Sequence, residues 1–403
     1  MNNPTLAGLR LAVLTCLVLA CAGSVVAEWD DADRAVLKKL NNPVTITGEQ
    51  QRLEDAIASI TAQLLIKPKV NWTALEIVGI EKDTTVWLNL KDVAAEHALQ
   101  IALAHASADA FDDDKAGYEV LKGELVISTY RDLRSNTTTE NHDIRKYIAA
   151  ARGQVSAQLM VERITELIYV TIGDPDEWLD EESTISENLG KLTIKTTAKN
   201  HEAIKALFDQ IDNPVDNVKD IHVKEDRATA ARLKKIVSYN NDKGSLSDVI
   251  DFIRQSAGLN IAVNWASLEL VSIDQDSLVT ISLTRVPASQ LLRLVLDQVS
   301  ADAFDDDKAG MTVKDGVVHI ATRRQLKGHT ETQVYKLRQW LGNKSTDQET
   351  IDEVVNAIHT RVGDPDEWLD EESYLTEFFG LLIVKTTPEN HQALVELLDT
   401  LNP

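Results

Sequence analysis

Two eleven-residue stretches each occur twice in this chain, and that duplication governs what it can fold into. Ser107-Ala-Asp-Ala-Phe-Asp-Asp-Asp-Lys-Ala-Gly117 recurs as Ser300 to Gly310, and Val70-Asn71-Trp72 recurs as Val263-Asn264-Trp265, both offset by 193 residues. Gly173-Asp-Pro-Asp-Glu-Trp-Leu-Asp-Glu-Glu-Ser183 recurs as Gly363 to Ser373, offset by 190, and Thr196-Thr197 and Asn200-His201 recur as Thr386-Thr387 and Asn390-His391 at that same offset. The change of offset places a three-residue deletion in the linker inside the second copy. The chain therefore reads as a tandem duplication of a two-part unit. The fold class expected is α+β: four small mixed sheet-and-helix domains over residues 28–131, 132–214, 215–325 and 326–403, preceded by a signal peptide over 1–27.

The leader carries a single early basic residue, Arg10, then an apolar run from Leu11 to Leu19 and small residues up to Ala27. Small residues suit a signal peptidase, so cleavage is expected after Ala27. Both cysteines, Cys16 and Cys21, lie in this segment. Cleavage there removes disulfides and Cys-ligated metals from consideration. A second reading stays open, because Val18-Leu19-Ala20-Cys21 resembles a lipoprotein box with Cys21 as the acylated residue. No later stretch is apolar for long enough to span a membrane. The expected location is periplasmic or extracellular, with the membrane reached only through a lipid on Cys21.

Each unit alternates short strands with amphipathic helices. In the first part, helices are expected over Gln50 to Leu65 and Val93 to Ala106, from apolar residues at helical spacing. A hairpin closes the part, with Asp109-Ala110-Phe111 as a strand, a turn from Asp112 to Gly117, and a return through Tyr118 to Leu121. In the second copy, Ser245 and Asp248 have the spacing of a capping box. In the second part, His142 to Tyr147 and Thr332 to Leu337 are strand candidates. Val155 to Val170 and Gln348 to Val362 are helices, Lys191 to Thr196 and Leu381 to Thr386 are strands, and a last helix starts near Asn200 or Asn390. Pro388 behind Thr387 suits a first helical turn.

The run from Val263-Asn264-Trp265 through Val279-Thr-Ile-Ser-Leu283 to the hairpin Val313-Lys-Asp-Gly-Val-Val-His-Ile320 resembles the secretin and TonB N-terminal short domain. The strand-then-helix ending, Leu382-Ile-Val-Lys-Thr-Thr-Pro-Glu-Asn-His391, is similar to the ring-building domains that follow the short domain in secretins. The paired layout with a Trp loop is similar to a tandem-duplicated group common in planctomycete-type bacteria, without a secretin pore domain. The resemblance implies an exported binding or scaffolding module whose partners are other envelope proteins.

The net charge of −23 repels phosphate backbones, so nucleic acid is not an expected partner. Twenty of the 64 acidic residues sit in the two repeated loops and their counterparts. Hard cations prefer oxygen ligands, and a bound cation relieves like-charge repulsion. The candidate Ca²⁺ ligands are Asp112, Asp113, Asp114, Asp174 and Asp176, with Asp305, Asp306, Asp307, Asp364 and Asp366 in the second copy. The other reading of these loops is a solvated turn, since Asp, Gly and Pro are what turns use. No cofactor is expected apart from Ca²⁺.

Trp178 and Trp368, inside the second loop, are candidates for partner binding; the alternative is an indole tucked beneath the loop to pin it. His201 and His391 read as surface or cap-adjacent residues, because no other His stands near them in the sequence. No catalytic motif appears, and no catalytic residue is expected. Two functions follow. The first is a non-catalytic interaction or scaffolding protein of the cell envelope, docking through sheet edges or acidic loops. The alternative is a Ca²⁺-dependent carbohydrate-binding protein or hydrolase that uses the Asp-rich loops.

Overall fold

The computed structural model describes residues 31–401 except 49, 154, 174, 180–181, 215–223, 343–346, 364 and 369–372. The expected leader and Cys21 lie outside the described residues. The fold is α+β, with seven small sheets among the described residues and helices packed on them. No described helix is long and apolar enough to cross a membrane.

The front half of the first unit opens with a helix, Asp31–Leu40, that the apolar pattern alone did not single out. Its Asp33 side chain accepts a hydrogen bond from the backbone N–H of Gly123 at 2.6 Å, and in the second unit Asp226 does the same for Gly316 at 2.5 Å. Both glycines sit at positive φ in hairpin turns, where a side chain is disfavoured. Helices Leu53–Gln63 and Ala95–Ala106 pack together over the core. A mixed three-stranded sheet lies beneath: Lys69–Val70 runs parallel to Glu124–Thr129, which pairs antiparallel with Ala116–Leu121.

The second unit repeats this arrangement with strands Asn260–Val263, Val317–Thr322 and Ala309–Lys314. Its helix Leu246–Ala257 has the expected capping box: Ser245 accepts from the Asp248 N–H, and Asp248 accepts from the Ser245 N–H. Gly258 ends it in the left-handed conformation. One difference separates the copies. The second carries a continuous ribbon, Ile236–Ser245 against Leu278–Pro287, where the first has two short pieces, Pro43–Ile46 with Leu90–Ala94 and Gln51–Arg52 with Thr85–Val86.

Each back half has a three-stranded antiparallel sheet. The first places Lys191–Thr197 between Thr137–Asp143 and Thr184–Asn188; the second places Leu381–Thr386 between Glu331–Lys336 and Tyr374–Phe378. The edge strand Thr184–Asn188 is exposed apart from the half-buried Ile185, and it holds no proline. Helices Ala157–Thr171 and Ala198–Asp212, and their counterparts Gln348–Arg361 and Pro388–Leu401, complete the two halves. Thr387 caps the last helix by accepting from the Asn390 N–H, with Pro388 in the first turn as expected.

Two sequence expectations are corrected. Asp109-Ala110-Phe111 is no strand: the Ala110 N–H donates to Ser107 O and the Asp114 N–H to Phe111 O, so the segment closes two turns instead of pairing. Of His142 to Tyr147, only His142 and Asp143 are strand. The strand ends at Asp143, and Arg145–Ala150 is helical, because Asp143 accepts from the backbone and side chain of Arg145 and turns the chain.

Among the described residues, buried apolar side chains gather in four clusters, and some of these cross between the copies. The cluster of the first front half includes Ala262 and Val317 from the second; that of the first back half includes Val334, Phe378 and Ile383. The copies are therefore joined half to half by apolar packing, and are not beads on a string.

Candidate functional site

The first repeated acidic loop forms a short 3₁₀ turn, Asp112–Asp114 in one copy and Asp305–Asp307 in the other. A small helix follows the hairpin in each copy, Tyr130–Arg134 and Arg323–Lys327, and aims basic side chains back at the turn. Arg131 pairs with Asp114 at 3.1 Å, and Arg134 pairs with Asp113. In the second copy Arg324 pairs with Asp307 at 3.1 Å, Lys327 with Asp306 at 3.1 Å, and Lys308 with Asp305 at 2.6 Å. The Lys308 ammonium beside Asp305 holds that carboxyl below its ordinary value. Thus every candidate Ca²⁺ ligand with a described side chain already faces a cation of its own chain. Asp174 and Asp364 lie outside the described residues, as do the side chains of Asp112, Asp176 and Asp366.

The two acidic loops of the first unit do meet. Arg134 reaches from Asp113 to Glu177, its Nε donating to Glu177 Oε1 at 3.2 Å. Among the described residues, the guanidinium of Arg134 joins the two loops.

The second repeated loop is a latch. Gly173 and Gly363 sit at φ 68° and 66°. A Cβ on Gly173 would stand 2.7 Å from Glu177 Oε2, and one on Gly363 2.6 Å from Asn390 Oδ1. Trp178 Nε1 donates to the Ile172 carbonyl at 2.8 Å, and Trp368 Nε1 to the Val362 carbonyl at 2.8 Å, satisfying groups left open where each helix ends. Glu177 accepts from Asn200 Nδ2 at 2.6 Å and Glu367 from Asn390 Nδ2 at 2.8 Å. The same amides reach Thr196 and Thr386, both at 3.0 Å, and Ser183 and Ser373 join those hydroxyls. The repeated Glu, Asn, Thr and Ser thus belong to one hydrogen-bonded network, with the Gly packed against it and the Trp bonded separately to the end of the preceding helix. Both indoles are half-buried and pinned beneath their loops.

Phe111 and Phe304 behave differently. They are counterparts within the first repeated loop, and they are 83% and 84% exposed. The signal available was an aromatic kept at the same place in two copies whose neighbouring helices diverge.

The histidines overturn a sequence expectation: His201 and His391 are 0% and 1% exposed. Each lies in the first turn of the last helix of its unit, facing the first strand of the back-half sheet. His201 Nε2 lies 3.1 Å from Thr138 O and its Nδ1 lies 3.5 Å from His142 Nε2. His391 Nε2 lies 2.9 Å from Glu331 O, and the Tyr335 hydroxyl donates to its Nδ1 at 2.6 Å. Burial lowers His142 to about 4 and lowers His201 as well. Glu140 joins the first pair, so that one ligating atom from each of Glu140, His142 and His201 lies within 4.8 Å of the others. Sequence distance concealed this cluster, since 59 positions separate the two histidines.

A cavity of about 330 Å³ opens where the two front halves meet, lined among others by His105, His319, His329, Lys115, Lys199 and Lys314. Burial pushes His105 and His329 down to about 4 and His319 well down, leaving neutral imidazoles.

No family model matches the chain, and no curated protein matches it. Among solved structures, the chain is similar to the GspC–GspD complex of the type II secretion system of enterotoxigenic Escherichia coli, with 10% identity and a TM-score of 0.16 over 42% of this chain and 99% of that one. It is also similar to XcpQN012, with 10% identity and a TM-score of 0.16 over 90% of this chain and 99% of that one. Likenesses at that score carry no argument about what this chain does.

Proposed function

We propose that this chain is an exported, non-catalytic interaction protein of the cell envelope, and that it grips a protein partner through the loops bearing Phe111 and Phe304. One observation carries the reading: the same aromatic side chain projects into solvent from the same acidic turn in both copies. An exposed phenylalanine gives up favourable burial, and aromatic side chains are the common anchors of protein interfaces. The surrounding carboxylates are braced by Arg131, Arg134, Arg324 and Lys327, which holds each turn in one shape. The partner so recognised has an apolar pocket that takes a phenylalanine. The expected leader and the sequence resemblance of Val263 to Ile320 to the secretin short domain support an envelope setting.

The test is site-specific photocrosslinking in cells that express the chain. A photoreactive residue in place of Phe111 or Phe304 is expected to give a protein adduct of the same mass from both positions. The same residue in place of Leu65, which is 87% exposed and outside the repeated loops, is expected to give none. Adducts absent from both Phe positions would refute the reading.

A further inference from the structure

We propose that Glu140, His142 and His201 form a binding site for one zinc-class divalent cation, present in the first unit and absent from the second. Alternation along the strand Thr137–Asp143 puts Glu140 and His142 on its buried face, and His201 comes down on them from the helix Ala198–Asp212. The 3.5 Å between His142 Nε2 and His201 Nδ1 is close to the separation of about 3.4 Å that two nitrogens have at a tetrahedral Zn²⁺. His201 Nε2 can donate to the Thr138 carbonyl, which leaves the Nδ1 lone pair facing His142. A ligand histidine held by a carbonyl on its far nitrogen is how proteins orient metal ligands.

The second unit supplies an internal control. Strand register places Tyr335 where the first unit has His142 and Gln333 where it has Glu140, opposite Leu382 and Val384 as His142 and Glu140 are opposite Leu192 and Ile194. There His391 makes the same carbonyl contact, and its Nδ1 takes the tyrosine proton. A tyrosine therefore satisfies the structural demand at this position. The first unit instead gathers two imidazoles and a carboxylate. Lys205 neutralises Glu140 at 3.1 Å, and its side chain is partly exposed, so the ammonium can give way to an entering cation. Three protein ligands leave a fourth position for water or a partner's side chain.

The experiment titrates Co²⁺ and Zn²⁺ into the untagged, chelator-treated chain. One equivalent of Co²⁺ is expected to give the visible absorption of a tetrahedral site, and Zn²⁺ is expected to bleach it. The variant Glu140→Gln/His142→Tyr copies the second unit's own residues and is expected to fold and lose the band. Gln333→Glu/Tyr335→His is expected to gain a second equivalent, and it decides the matter if the first variant fails to fold. A folded wild-type chain without a stoichiometric site would overturn the proposal. So would a folded Glu140→Gln/His142→Tyr chain with an unchanged band, or, where that variant does not fold, a graft that gains nothing.

Discussion

Asn260 pairs with the backbone of Lys91 as another strand would: its Oδ1 accepts from the Lys91 N–H at 2.9 Å, and its Nδ2 donates to the Lys91 carbonyl at 2.9 Å. The two residues belong to different copies, so one side chain ties the front halves together. His97 and Asp315 add a second polar link at 3.4 Å. Asn260→Ala is expected to lower stability by about 1–2 kcal/mol, the net worth of two hydrogen bonds. Urea denaturation measures it, and an unchanged midpoint would show that the tie contributes nothing.

The latch predicts a paired result. Trp178→Phe and Trp368→Phe each keep the ring but lose the N–H that satisfies a helix-ending carbonyl. Each is expected to cost about 1 kcal/mol. The double variant is expected to cost the sum, since the two latches share no partner. Chemical denaturation of the four chains checks this, and a loss confined to one copy would contradict the equivalence of the loops.

Acid should weaken the junction of the front halves. His105 and His329 titrate at about 4 in the fold, against an ordinary 6.5. A base with a depressed folded pKa is protonated first in the unfolded chain, so its contribution is complete above pH 6.5 and is lost as pH falls toward 4. Each accounts for up to about 3 kcal/mol. Denaturation midpoints at pH 7 and pH 5 should show the loss, and His105→Gln/His329→Gln should reduce it. An equal loss in that variant would place the effect elsewhere.

Glu119 has the opposite sign. It is buried against the first turn of the helix Ala198–Asp212, whose Ala198 and Lys199 amides face it without meeting hydrogen-bond geometry. Burial raises its carboxyl to about 7 from an ordinary 4.5. The folded form holds its proton more tightly, so this contribution is present below pH 4.5 and is lost as pH rises through 7. Glu119→Gln is expected to be more stable than wild type at pH 8 and close to it at pH 4.5. A constant difference across that range would contradict the assignment.

What the sequence made legible was periodic or repeated. Helix Leu246–Ala257 was readable from its cap and apolar face, and the repeats disclosed the two-part unit. The strand Thr137–Asp143 was obscured because a polar run of threonines can pair at a sheet edge with one wet face. The His142–His201 cluster was invisible because only the fold brings the strand to the helix. The acids of the loops were visible, but apart from Lys308 the cations that face them come from a later helix. Phe111 and Phe304 were in plain view, yet their exposure depends on a turn that hydrophobic patterning reads as strand.

The proposed partner-binding surface is the pair of loops bearing Phe111 and Phe304. Its most direct test is the affinity of the purified chain for the protein that crosslinks at position 111. Phe111→Asp/Phe304→Asp is expected to weaken binding by at least 100-fold, since losing two aromatic anchors at about 2 kcal/mol each exceeds that factor. Leu65→Asp is expected to leave it unchanged. A double variant that binds as tightly as wild type would contradict the account.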